Sequence, residues 1–316
     1  MTHGFQIDVA LSDGFHLIRR RPGDVLAWGV ILALPVLLPV LLSVIVMIDL
    51  FMTIGPEAIA EDADPSPQAL AAMMRMQAWS MLINVVQLIG YVLIIAAICR
   101  AVLWPERAPG RFFDLRVGMD EARVAVAGLA VMAGCYGVML VVLLLAFAFG
   151  AAFWMVSETA AVVLGVAVGL AGIVGIVWAG LRTSMIMPLS IASQDFAFVA
   201  GWKMTKGRVG MLLGLFVATL AVTFLVHVLF LIVAGLIALG VSIPFWPQLA
   251  AWAQSASSEL PAFNPLVVAV AGVAAFIAIA AYYGVIVAIW IAPGASACRQ
   301  MLATQKQDET GAATLS

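Results

Sequence analysis

Few polar side chains interrupt the apolar runs of this chain, and those that do are spaced as on helices. Asn84, Gln87 and Tyr91 recur at i, i+3 and i+7, and Thr219, Thr223 and His227 at i, i+4 and i+8. Each set therefore lies along one helical face. Asp49 stands near the end of another apolar run. Polar groups placed in hydrocarbon are costly, and a cluster of them is a candidate for holding or passing a polar solute. Asn84, Gln87, His227 and Asp49 are thus the candidate polar pocket. The alternative use of the same stripes is hydrogen bonding between helices, worth about 0.6 kcal/mol a contact.

Reactive constellations are missing. The sequence has no HExxH, GxSxG or Walker loop. His3, His16 and His227 share no helical turn, and Cys99, Cys135 and Cys298 form no CxxC or disulfide framework. Asp114, Asp120 and Glu121 are interspersed with arginines and read as charge balance beside lipid headgroups. The acidic stretch from Glu61 to Pro67 lacks the glycine and distal glutamate of a calcium loop. The expectation is a non-enzymatic protein with no catalytic residue, no cofactor and no metal.

The elements that position these side chains follow from composition. Of 316 residues, 65% are hydrophobic and 10% charged, whereas a soluble domain carries about 25% charged residues. The solvent for this much apolar surface must be lipid. Six runs reach the roughly 20 apolar residues of a spanning helix: 25–52, 79–103, 122–153, 160–189, 209–240 and 266–292. None shows the alternation of a barrel strand, so an all-α polytopic membrane bundle is expected. The first run extends from Val25 to Met52, well past the roughly 7–15 residues of a signal-peptide core, and reads as an uncleaved span. Ser66 and Pro67 read as the start of a second helix that begins outside the membrane. Within the first span Pro35 and Pro39 predict a kink. Gly165, Gly169, Gly172 and Gly175 predict a close helix-contact face on the fourth.

Charge sets the expected orientation. Apart from Arg75, all of the 15 lysines and arginines lie before the first span, in or beside the loops after the second and fourth, or after the sixth. The positive-inside rule then puts both termini in the cytoplasm. The net charge of −2 argues against nucleic acid as a partner.

One short basic phrase occurs twice. "SDGFHLIRRRPG" (Ser12 to Gly23) and "VAGWKMTKGRVG" (Val199 to Gly210) align glycine with glycine, aromatic with aromatic and arginine with arginine. The first is amphipathic, with Ile7, Leu11, Phe15 and Ile18 on one face, and Pro22 ends it before Asp24 caps the span. The second puts Phe198, Trp202 and Thr205 on one face, with Ser193 and Asp195 suited to its start. A looser version, "RFFDLRVGMDEAR", precedes the third span. The pattern suggests three repeat units, 5–105, 109–190 and 193–298, each an interfacial helix plus a helical hairpin. Together they make one six-span domain over residues 1–298, with 299–316 as a polar, flexible cytoplasmic tail. Aromatic and basic residues side by side suit a headgroup layer. Arg19, Arg20, Arg21, Trp202, Lys203, Lys206 and Arg208 are the candidate contacts to anionic lipid.

The segments "FFDLRVGMDEAR" and "PLSIASQDFAFVAGWKMTKGRVG" (Pro188 to Gly210) resemble parts of uncharacterised bacterial inner-membrane proteins. Those proteins are similar to the membrane domain attached to some glycerophosphodiester phosphodiesterases. The resemblance implies a six-helix fold in the bacterial inner membrane. It supplies no catalytic residue, and the phosphodiesterase barrel has no counterpart in this sequence. The expected function is action through lipid or protein contacts, with a protein partner or a second copy as candidate partners. The alternative is a transporter or channel for a small or amphiphilic molecule.

Overall fold

The computed structural model describes residues 5–54, 67–106, 113–154, 157–243, 246 and 264–314. Among them the chain is all-α, without a strand. The helices are α1 (Ile7–Arg20), α2 (Pro22–Ile54), α3 (Pro67–Leu103), α4 (Met119–Trp154), α5 (Glu158–Thr183), α6 (Ile186–Ser193), α7 (Phe198–Met204), α8 (Val209–Ser242) and α9 (Pro265–Thr314).

Six stretches are long and apolar enough to cross a membrane: Pro22–Val40, Gln77–Leu103, Met119–Trp154, Glu158–Ser193, Val209–Gly240 and Leu266–Asp308. Their outward faces carry large apolar side chains. Leu143, Leu144 and Phe147 on α4 and Phe224, Leu225 and Leu236 on α8 are all exposed. At roughly 25 cal/mol per Å² such surface is not sustained in water. The protein is a multi-pass membrane helix bundle.

Local sequence explains the boundaries. Pro67 is the first residue of α3 and Pro22 the first of α2, where the missing N–H breaks no intrahelical bond. Ser157 caps α5 by accepting from the Ala160 amide at 3.3 Å. Pro35 and Pro39 do not end α2, which runs through both. Ser193 does not open α7, as the sequence led us to expect. It closes α6, donating back to the Leu189 carbonyl at 2.8 Å, and Gln194 follows in the left-handed conformation.

Contacts divide the chain into two compact units. One unit comprises 1–20, 92–220 and 289–316, the other 21–91 and 221–288. The long helices α3, α8 and α9 each contribute one stretch to either unit.

The first unit is built around α1. Phe5, Ala10, Leu181, Leu189, Leu212 and Cys298 belong to its apolar core. The buried face of α1 is Ala10, Gly14 and Leu17, and Phe15 is 48% exposed. The face expected to be apolar is thus only partly the buried one, since small Ala10 and Gly14 let the helix lie close to its neighbours. Residues 299–314, expected as a polar tail, continue α9 as helix. α9 has 50 residues, about 75 Å at 1.5 Å per residue, and Met301 is buried in the core.

In the second unit α2 and α9 cross at two glycines. A Cβ on Gly29 would come 1.7 Å from the Ala280 carbonyl oxygen, and one on Gly284 would come 2.0 Å from the Val25 carbonyl oxygen. Only glycine admits this reciprocal backbone contact. The glycine face expected on the fourth span is mostly open. Gly172 meets Val142, but Gly165, Gly169 and Gly175 face nothing within 4 Å.

Candidate functional site

Three arginines end the even-numbered spans, each preceded by a buried residue: Cys99–Arg100, Leu181–Arg182 and Cys298–Arg299. All three lie in the first unit. Each ties its span to a segment that precedes an odd-numbered span.

Arg100 is 3% exposed and its ion-pair partner Glu121 5%. Nη1 lies 2.5 Å from Glu121 Oε1 and 3.7 Å from Asp120 Oδ2, while Nη2 donates to the Asp114 carbonyl at 2.8 Å. Asp120 also accepts from Arg123 at 2.9 Å. The sequence placed these acids beside headgroups. The structure buries Asp114 and Glu121 instead, because only paired charges of opposite sign can leave water together.

Arg299 joins α9 to α1 and α3. Nη2 donates to Asp13 Oδ2 at 2.7 Å, and Nη1 to the Val102 carbonyl, also at 2.7 Å. Ser296 donates to the same Asp13 oxygen at 2.5 Å. The Gln6 amide donates to Gln300 Oε1 at 2.8 Å, which fixes the start of α1.

Arg182 has a different setting. It is 8% exposed, and Nη1 donates to Thr205 Oγ1 at 3.2 Å. Thr205 in turn donates to the Arg182 and Trp202 carbonyls. The guanidinium sits 4.5 Å from the centre of the Trp202 ring and 5.9 Å from that of Trp178, and the two rings meet edge to face at 5.7 Å. Its Nε is buried without an acceptor, and no carboxylate pairs with it among the described residues. Trp178 and Trp202 also line an apolar cavity of 330 Å³, with Val131, Val138 and Phe198 among the other walls.

The candidate headgroup contacts differ in exposure. Arg19, Arg20, Lys203 and Lys206 are exposed, and Arg21 and Arg208 are half-buried. Arg21 is 3.8 Å from Asp24, so part of its charge is answered within the chain. Trp202 is 37% exposed. Phe15 and Trp202, which hold the same place in the repeated phrase, are both partly exposed, while the Trp202 ring also packs on Arg182 and Trp178.

Of the candidate polar pocket, His227 has a hydrogen-bond partner among the described side chains. His227 Nδ1 is hydrogen-bonded to the Tyr282 hydroxyl on α9, and Phe230 stacks on that tyrosine ring at 4.2 Å. Neither Asn84 nor Gln87 makes a hydrogen bond among the described residues; Asn84 is exposed and Gln87 half-buried. Thr219 is buried, and Thr223 Oγ1 is buried without a partner. The Asp49 side chain lies outside the described residues. Tyr282 escaped notice in the sequence because a tyrosine in an apolar run carries no signal of its own. The arginine register was visible there, as three basic residues at the ends of alternate apolar runs.

No group of three or more His, Cys, Asp or Glu side chains is placed to hold a metal among the described residues. Comparison with models of known families, with curated proteins and with solved structures finds no match.

Proposed function

We propose that this protein is a non-enzymatic inner-membrane protein that works through its contacts with lipid, using a basic layer at the cytoplasmic ends of its spans. The carrying observation is the shared exposure of Phe15 and Trp202. Each is flanked by exposed basic side chains: Arg19 and Arg20 beside one, Lys203 and Lys206 beside the other. An aromatic ring at headgroup depth with cations beside it is an arrangement suited to anionic lipid. The buried Arg100–Glu121 pair, the buried Arg182–Thr205 hydrogen bond and the half-buried Arg299–Asp13 pair support the reading, since they tie the span ends to the segments that carry these residues. The positive-inside rule puts it on the cytoplasmic side. The segments that resemble bacterial inner-membrane proteins supply the compartment.

Each basic residue near an anionic surface is worth on the order of 1 kcal/mol. A variant with Lys203, Lys206 and Arg208 changed to Gln should therefore lose most of its preference for anionic over zwitterionic lipid in reconstituted bilayers. The wild-type preference should weaken as salt rises. Unchanged selectivity in the correctly folded triple variant would refute the reading.

A further inference from the structure

Arg182 differs from the two arginines that hold equivalent places. Arg100 is answered by Glu121 and Asp120, and Arg299 by Asp13. The repeated phrase shows what is missing at the third. With Gly14 aligned to Gly201 and Phe15 to Trp202, Asp13 falls opposite Ala200. The alignment has structural content, since both glycines are buried and both aromatics exposed. A Cβ on Gly201 would come 2.9 Å from the Ile186 side chain. Where α1 carries Asp13, α7 carries the exposed Ala200, and it meets Arg182 through Trp202 and Thr205 instead.

A guanidinium that is nine-tenths buried needs an anion or a full set of acceptors. Thr205 supplies one neutral acceptor. The Trp202 and Trp178 faces add cation–π attraction, and the α5 C-terminus adds a partial negative charge. Nε remains without an acceptor. The two tryptophans that bracket this cation also wall the 330 Å³ apolar cavity, which is within the roughly 300–1,000 Å³ of small-molecule sites. A buried cation beside an apolar cavity, at the end of a membrane span, matches a molecule with an anionic head and a hydrocarbon tail.

We propose that Arg182 and the adjoining cavity hold one anionic phospholipid, with its phosphate on the guanidinium and part of an acyl chain against Val131, Val138 and Trp178. The phosphate takes the place that Asp13 holds for Arg299. This deepens the reading of a lipid-contacting layer and rests on it, but adds a single discrete site to a diffuse charged surface.

The test uses the full chain purified in mild detergent, with bound lipid counted by native mass spectrometry. Wild type should retain one anionic phospholipid. Arg182→Gln should lose it, with affinity down about tenfold or more. Val138→Trp is the second variant, since it fills the cavity and leaves the guanidinium in place. It should also lose the lipid, and its melting temperature after delipidation separates a folding defect from loss of the site. With delipidated wild type, phosphatidylglycerol should raise the melting temperature, and neither phosphatidylcholine nor inorganic phosphate should do so. Equal stabilisation by phosphatidylcholine would overturn the role of charge, and equal stabilisation by inorganic phosphate would overturn the role of the cavity. Retention of the lipid by folded Arg182→Gln would overturn the site. The triple variant at Lys203, Lys206 and Arg208 should still carry the discrete lipid. Loss of the lipid there but not in Arg182→Gln would place binding on the exposed layer and end this proposal alone.

Discussion

Glu121→Ala should destabilise the protein by about 3–5 kcal/mol, because it leaves the Arg100 guanidinium buried without its closest counter-charge. Arg100 is 3% exposed and cannot turn to water. Asp120 lies 3.7 Å away and already serves Arg123, so it is a poor substitute. Thermal unfolding in detergent, followed by circular dichroism, reads the effect. The informative companion is the double replacement Arg100→Met with Glu121→Leu. Removing both charges leaves nothing to desolvate, and apolar side chains of similar volume often restore or exceed the stability of a buried pair. The double variant should recover most of the loss. A double variant no better than Glu121→Ala would show that the pair does more than balance charge, for instance by fixing the 113–118 segment through the Asp114 carbonyl.

Gly29→Val and Gly284→Val should each be disruptive, at or above the roughly 1–3 kcal/mol of an overpacked core. The added carbon would fall inside the van der Waals radius of a backbone oxygen, 1.7 Å at one site and 2.0 Å at the other. Backbone cannot swing aside as a side chain can, so α2 and α9 would have to separate. Gly175→Val on α5 is the matched control. Its Cβ meets nothing within 4 Å, so stability should barely change. Equal melting temperatures for all three would mean that α2 and α9 do not cross at these residues.

The contrast between these glycines shows what the sequence could and could not convey. Four glycines at helical spacing on the fourth span make a conspicuous pattern, yet only Gly172 has a close neighbour. Gly29 and Gly284 are isolated in their runs, and their use depends on which helix passes opposite. The six spans were legible because hydropathy is a local property with a known length scale. The start of α3 at Pro67 was legible too, and the two readings differ mainly at other helix ends: the fourth span breaks at Ser184 and Met185, and α9 continues to Thr314. Past the hydrocarbon layer helices are held by side-chain contacts such as those of Arg299 and Met301, which apolar run length does not register. What the polar stripes meet is set in the same way. His227 found Tyr282 on α9, a partner set by tertiary placement. The basic phrase carried further, because the exposure of Phe15 and Trp202 and the burial of Gly14 and Gly201 follow its alignment.

Thiol labelling in intact cells tests the central claim most directly, since a lipid-facing basic layer is of use to this account only on the cytoplasmic side. Thr205, buried against Arg182, is unsuitable as a probe; its neighbour Lys206 and the distant Thr159 are exposed. With the three native cysteines replaced, Thr159→Cys should react with a membrane-impermeant maleimide added outside. Lys206→Cys should react only after the membrane is permeabilised. Labelling of Lys206→Cys from outside, with Thr159→Cys protected, would contradict the account.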